Sequence, residues 1–242
     1  MAITLRSRKV PKENIKVTGL PVFGEFAKSN SKALAKKNAG LPQDKKVALV
    51  IAGAKDAGPY KNIRKTLNES FKYLASMDWI HFVICVGDDP TYATKLMKKA
   101  QKYKANNVTI FTYTNKLHKL MEASDIAIIK PGGLATTECL CAKLPMLLLG
   151  KTYAQENINR RYLLASGVAE HVTTYKGLVN VLCDIFTDEG RYKNMVNNIS
   201  KVRKPNAAKN IVKFSTELLN SEFDKSKRKT SLYIGKSPVH TR

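Results

Sequence analysis

Short apolar runs and longer mixed stretches alternate along most of the chain. The runs at 47–52, 80–86, 108–111, 126–129 and 146–149 are continuous in apolarity and bounded by Gly, Pro or Asp. Continuous rather than alternating apolarity predicts strands covered on both faces. Between them, stretches of helical length and period fall at about 60–76, 91–104, 115–123, 133–142 and 156–166. Strand and helix in strict alternation predict right-handed crossovers and a parallel sheet with helices on both faces, an α/β Rossmann-like domain over about 15–219. Residues 176–187, 188–201 and 206–219 read as further helices, and 16–22 as a short strand ending in a turn. Residues 1–14 read as a basic, irregular N-terminal segment in which Pro11 stops any early helix. The stretch 220–242, basic and poor in apolar residues, reads as a disordered tail. No internal repeat is found.

Composition narrows the class. The chain has 242 residues, of which 43% are hydrophobic, enough for one core-bearing domain and at most two. No apolar run reaches the roughly 18–20 residues that a spanning helix needs, and no secretory signal is readable, so a cytoplasmic or membrane-surface protein is expected. Cys85, Cys139, Cys141 and Cys183 form no C-x-x-C pair and read as buried reduced thiols. The net charge of +23 is concentrated at the ends, with 11 basic against 3 acidic residues in 1–46 and again in 201–242. Such ends attract polyanions: anionic lipid, nucleic acid or an acidic partner. Lysine outnumbers arginine 33 to 9, whereas bidentate base reading relies on arginine, so lipid is favoured over nucleic acid and simple solvation remains open.

In an open parallel sheet, ligands bind beyond the carboxyl ends of the strands. Three loops there carry candidate chemistry. The first, Ala52-Gly53-Ala54-Lys55-Asp56-Ala57-Gly58-Pro59, lets the backbone approach a bound group through Gly53 and Gly58, or is simply a tight turn. The second is Lys130-Pro131-Gly132-Gly133-Leu134-Ala135-Thr136-Thr137-Glu138. Its glycines permit positive φ and close approach, and the helix start offers unpaired N–H groups to an anion. Glu138, a turn later, suits a neutral diol better than a phosphate, so a diphosphate linked to a ribose satisfies both features, or Gly132-Gly133 is simply a tight turn and Glu138 a solvated helix residue. The third, Thr152-Tyr153-Ala154-Gln155-Glu156-Asn157-Ile158-Asn159, supplies amides and a carboxylate suited to sugar hydroxyls, or is a capped helix with a polar surface.

With these motifs in place, residues 15–219 resemble the C-terminal, donor-binding half of a family-28 GT-B glycosyltransferase. The diacylglycerol glucosyl- and galactosyltransferases are nearest and the murein lipid transferase is more distant. Lys16-Val17-Thr18-Gly19-Leu20-Pro21-Val22 followed by Phe26 matches the entry to that domain, and the 130–138 segment matches its most specific motif. Gln155-Glu156 with Asn159 matches the donor-sugar segment, with Ala154 where the family usually has Gly. The glycine-rich loop is thinner than usual, with Ala52, Ala54 and Ala57 in it.

The resemblance implies that Glu138 holds the ribose. It assigns the diphosphate to Gly132, Gly133, Leu134, Ala135, Thr136 and Thr137, and the sugar to Gln155, Glu156 and Asn159. Backbone groups beside Thr114 would line the uracil pocket. It further implies inverting transfer from UDP-glucose or UDP-galactose to a lipid such as diacylglycerol, at the inner face of the cell membrane. The acceptor domain and general base would come from elsewhere, such as a separate chain. UDP-sugar is a substrate, and no cofactor or metal is expected, since no Asp-x-Asp motif appears. His81 reads as core, His118 and His171 as surface and His240 as tail, so no catalytic residue is nominated. A UDP-sugar-binding module without turnover and a basic nucleic-acid-binding α/β domain are the alternatives.

Overall fold

The computed structural model describes residues 2–28, 30–53, 58–152 and 154–220. The chain divides into two compact units, Gly19–Asn206 and Met1–Thr18 with Ala207–Arg242. The second unit contains helix α1 (Ala2–Ser7), a 3-10 turn at Lys12–Asn14 and the last described helix, Ala207–Asn220. A short helix thus precedes Pro11 where irregular chain was expected. The expected tail at 221–242 lies outside the described residues.

The larger unit is a six-stranded parallel sheet. Its strands are β1 (Lys46–Ile51), β2 (Ile80–Cys85), β3 (Val108–Phe111), β4 (Ile126–Ile129), β5 (Met146–Leu149) and β6 (Ala169–Val172). In space they run β3-β2-β1-β4-β5-β6. The helices are α2 (Lys32–Asn38), α3 (Gly58–Ala75), α4 (Pro90–Lys102), α5 (Leu117–Ala123), α6 (Gly133–Cys141), α7 (Ala154–Ala165), α8 (Tyr175–Thr187) and α9 (Glu189–Val202). Among the described residues no helix is long and apolar enough to cross a membrane.

Strand periodicity sorts the core into two layers. Ala48 and Val50 of β1 face α3, α4 and α8 through Ile63, Leu67, Phe71, Leu96, Leu178 and Leu182. Val47 and Leu49 face α5, α6 and α7 through Leu120, Met121, Cys139, Leu140 and Leu163. Both faces being covered explains why the strand runs are apolar throughout. The expected strand at 16–22 does not form, because no strand pairs with it. By contrast, β6 and α2 form without having been read from the sequence.

The pairing places β1 beside β4. Crossovers run one way from β1 to β2 and β3, and the other way from β4 to β5 and β6, so the chain reverses between the two central strands. At such a reversal the loops leaving adjacent strands diverge to opposite faces and open a crevice. The loops after β1 and β4 flank it, and they hold the first two glycine motifs.

Candidate functional site

Beyond β4, Gly132 N–H donates to the Lys130 carbonyl at 2.8 Å, which turns the chain into α6. Gly132 is the N-cap, at φ −75 and ψ 147, and no side chain caps the helix. Neither Gly132 nor Gly133 has a positive φ, so the left-handed freedom expected of them is unused. Their packing does not demand glycine either. A Cβ on Gly132 would come no nearer than 3.6 Å to the Lys130 side chain, and one on Gly133 no nearer than 3.7 Å to Leu20. The missing side chains therefore leave room that the protein itself does not fill. The first N–H groups of α6 have no intrahelical acceptors.

Thr136 and Thr137 face inward chemically: each hydroxyl donates at 2.7 Å to a carbonyl one turn back, of Gly132 and Gly133 respectively. Leu134 is exposed and Ala135 half-buried, so from this pair the helix start offers main chain only. Glu138 is half-buried and has no hydrogen-bond or ion-pair partner among the described residues. Loss of water raises its pKa above the ordinary carboxyl value.

The start of α7 adjoins this bend. Asn159 Nδ2 donates to the Pro131 carbonyl at 3.0 Å, and Glu156 Oε1 pairs with Lys130 Nζ at 2.7 Å. Lys130 Nζ also lies 4.8 Å from the Tyr60 ring centroid, a cation over an aromatic face. Gln155, Asn159 and Tyr162 close a hollow of about 280 Å³ against Leu20, Gly133, Thr136 and Thr137. Ala154 has φ +43, a left-handed conformation that favours glycine, which gives a physical reason for the Gly usual at this point of the motif. Tyr153 lies outside the described residues.

After β1, Gly53 adopts φ +72, and a Cβ there would run into the Tyr60 ring, so internal packing alone requires this glycine. Arg64 holds the loop, donating to the carbonyls of Ala52 at 3.2 Å and Gly53 at 3.3 Å while pairing with Asp89 at 2.7 Å. Gly58 opens α3, and residues 54–57, with Ala54 and Ala57, lie outside the described residues. Thr114 sits after the edge strand β3, its Oγ1 accepting from Lys116 N–H at 3.1 Å, and does not line the α6–α7 hollow.

The structure thus gathers Gly133, Thr136, Thr137, Gln155 and Asn159 around one hollow, while Gly132, Leu134, Ala135 and Glu138 are not among its walls and Glu156 is tied to Lys130. Lys130, Tyr60 and Leu20 were not foreseen as site residues. Lys130 stands inside the motif and could have been, but nothing in spacing links Tyr60 to Gly53.

His81 is core as expected, bonded to Thr109 Oγ1 at 2.8 Å, and its pKa is lowered by burial. His171 is not simply a surface residue: it is half-buried on β6, its Nε2 2.8 Å from the Gly150 carbonyl. His118 is half-buried, edge-on to Phe26, and His240 lies outside the described residues. Cys85, Cys139 and Cys141 are buried, and burial pushes the Cys85 thiol up to about 12. Among the described residues no cluster of three or more His, Cys, Asp or Glu could hold a metal.

Residues 28–202 match the family described as Glycosyl transferases group 1. The chain belongs to that family. A processive diacylglycerol beta-glucosyltransferase of Staphylococcus haemolyticus is 28% identical over 233 residues, covering 96% of this chain and 56% of that protein. This chain accordingly spans about half the length of the curated relatives it matches. Among solved structures, UDP-GlcNAc 2-epimerase from Neisseria meningitidis bound to UDP-GlcNAc matches with a TM-score of 0.66 and 20% identity, over 89% of this chain and 58% of that one. The C-terminal CMP-Kdo binding domain of WaaA from Acinetobacter baumannii matches with a TM-score of 0.51 and 12% identity, over 71% of this chain and 95% of that one. At such identities the likeness is one of fold, and the fold is the Rossmann-like α/β domain of GT-B enzymes.

Proposed function

We propose that this chain is the donor-binding half of a UDP-sugar-dependent hexosyltransferase acting on a lipid acceptor such as diacylglycerol. The observation that carries the reading is the uncapped start of α6, where two glycines leave space that no packing constraint accounts for. An anion there receives main-chain hydrogen bonds and the field of the helix, which contributes about 0.3–2 kcal/mol. Glu138, half-buried and without a partner among the described residues, supplies the carboxylate for a ribose diol. Gln155 and Asn159, on the wall of the hollow beside Gly133, reach towards the sugar.

Transfer proceeds with inversion. An acceptor hydroxyl, deprotonated by a base on an acceptor domain in the same or another polypeptide, displaces UDP from the anomeric carbon. Charge grows on the leaving diphosphate, so the N–H groups of Gly133, Leu134 and Ala135 bind the transition state more tightly than the ground state. The basic ends hold the protein to the inner face of an anionic membrane, at about 1 kcal/mol per Lys or Arg near the surface. The names of the relatives support glucose as the sugar and diacylglycerol as the acceptor.

The decisive experiment is calorimetric titration of UDP into the parent and Gly133→Ala. The added methyl has room in the ligand-free fold and improves helix propensity by up to about 1 kcal/mol, so thermal stability should hold or rise. UDP affinity should fall at least about tenfold, or 1.4 kcal/mol. Equal affinities would place the diphosphate elsewhere.

A further inference from the structure

On the sheet face away from α6, a second cleft of about 590 Å³ opens between α3 and α8, beyond the carboxyl ends of β5 and β6. Its walls include Lys65 and Thr66 of α3, Lys151 after β5, and Thr174, Tyr175 and Lys176 where α8 begins. Lys151 and Lys176 are exposed and have no carboxylate partner among the described residues. Among the described residues Lys65 meets Glu69, the one carboxylate on the cleft wall, 3.9 Å away in an exposed pair of little consequence.

Two further observations point to an anion rather than to scattered surface charge. Thr174 Oγ1 accepts from Gly177 N–H at 3.1 Å, which leaves the N–H groups of Tyr175 and Lys176 facing outwards at the start of a 13-residue helix. More telling is Thr66. Thr94, Thr136, Thr137 and Thr187 each donate their hydroxyl to a carbonyl one turn back. Thr66, only 5% exposed, makes no such bond, and its hydroxyl has no partner among the described residues although it lines the cleft. The hydroxyl itself is not sealed from the cleft, so an oxygen of a ligand entering there can accept its hydrogen. Beside the cleft, Tyr73 and Tyr175 stack at 5.7 Å, and a hollow of about 220 Å³ against Val179 gives space to a carbon skeleton.

We propose that this cleft is a second ligand site, distinct from the donor hollow, that takes the phosphate group of an organic phosphate. Lys151 and Lys176 supply charge, the first amides of α8 and the Thr66 hydroxyl supply hydrogen bonds, and Tyr175 flanks the carbon part. A lipid headgroup and a soluble ester both carry such a phosphate, and the test separates the two.

Glycerol 3-phosphate is titrated into the 15N-labelled chain, and vesicles of phosphatidylglycerol in phosphatidylcholine are co-sedimented with it. Saturable shifts of the Thr66, Tyr175 and Lys176 amides are expected. The double variant Lys151→Gln/Lys176→Gln should bind glycerol 3-phosphate at least tenfold more weakly, and Thr66→Val several-fold more weakly. Both lysines are exposed, so the double variant should melt as the parent does and bind UDP within twofold of it. Co-sedimentation lost in the double variant assigns the phosphate to lipid; co-sedimentation retained while glycerol 3-phosphate binding is lost assigns it to a soluble ester. Absence of shifts at the start of α8, or shifts that survive the double substitution, would overturn the proposal whatever happens at the UDP site.

Discussion

Glu138 carries a cost of burial when it is ionised. Its folded pKa is raised by burial, so its contribution to stability is complete in acid, below the ordinary value of 4.5, and is lost as pH rises through the folded value. Near neutral pH the ionised side chain therefore weakens the ligand-free fold. Glu138→Gln should raise the thermal midpoint near neutrality and leave it unchanged in acid, while weakening UDP by about 1–3 kcal/mol through loss of a charged acceptor. A variant that neither gained stability nor lost UDP would deny the residue this role. Ala154 carries strain of another kind, with φ +43 at the start of α7. An Ala→Gly change inside a helix usually costs about 1 kcal/mol. Ala154→Gly should instead be neutral or stabilising by up to about 1 kcal/mol, because relief of the left-handed strain offsets the added chain entropy; chemical denaturation of the two proteins measures the difference. Neither environment can be read from residue type. The motif marks Glu138 and Ala154 as positions of interest, but burial and φ come from what surrounds them.

Helix and strand lengths follow the periodicity closely wherever one kind of pattern prevails. Strands β3, β4 and β5 and helices α3 to α9 lie where apolar runs and helical spacing predict them. The exceptions are instructive. β6 reads Ala169-Glu170-His171-Val172, polar in the middle, because it is an edge strand whose Glu170 pairs with Arg191 at 2.6 Å and whose His171 bonds the Gly150 carbonyl. α2 hides in a lysine-rich stretch because its Lys36 is buried, bonded to the Lys45 carbonyl at 2.7 Å and to Asp125 at 3.0 Å. A buried cation defeats any hydrophobic pattern. At the site, the coupling of β4 to α7 rests on Lys130 and Glu156, each about one-fifth exposed. Lys130→Ala should cost about 1–3 kcal/mol, the penalty of leaving a partly buried partner unsatisfied. The same change made in Glu156→Gln should cost much less. A double-mutant cycle by urea denaturation reads the coupling, and additive effects would mean that the pair contributes nothing.

Across the larger unit, one polar knot lies at the amino ends of the central strands, opposite the site. Asp125 pairs with Lys36, accepts from Val47 N–H at 2.8 Å, and through its carbonyl accepts from Tyr192 Oη at 3.1 Å. It joins α2, β1, β4 and α9 at the pair of strands whose divergence forms the crevice. Asp125→Ala leaves a buried lysine unpaired and should destabilise by about 3–5 kcal/mol, seen as a lower urea midpoint with UDP affinity retained in the folded fraction. The sequence by itself determined the alternation of strands and helices, the parallel sheet, the glycine-led start of α6 and the family resemblance. These are local in origin, since apolar period and glycine placement act over a few residues. Tertiary structure alone decided that β1 lies against β4, that Tyr60 and Lys130 meet at the crevice, and that the Thr66 hydroxyl has no partner among the described residues. Those outcomes depend on contacts between segments far apart in the chain, whose apolar runs are too alike for sequence to say which will pair.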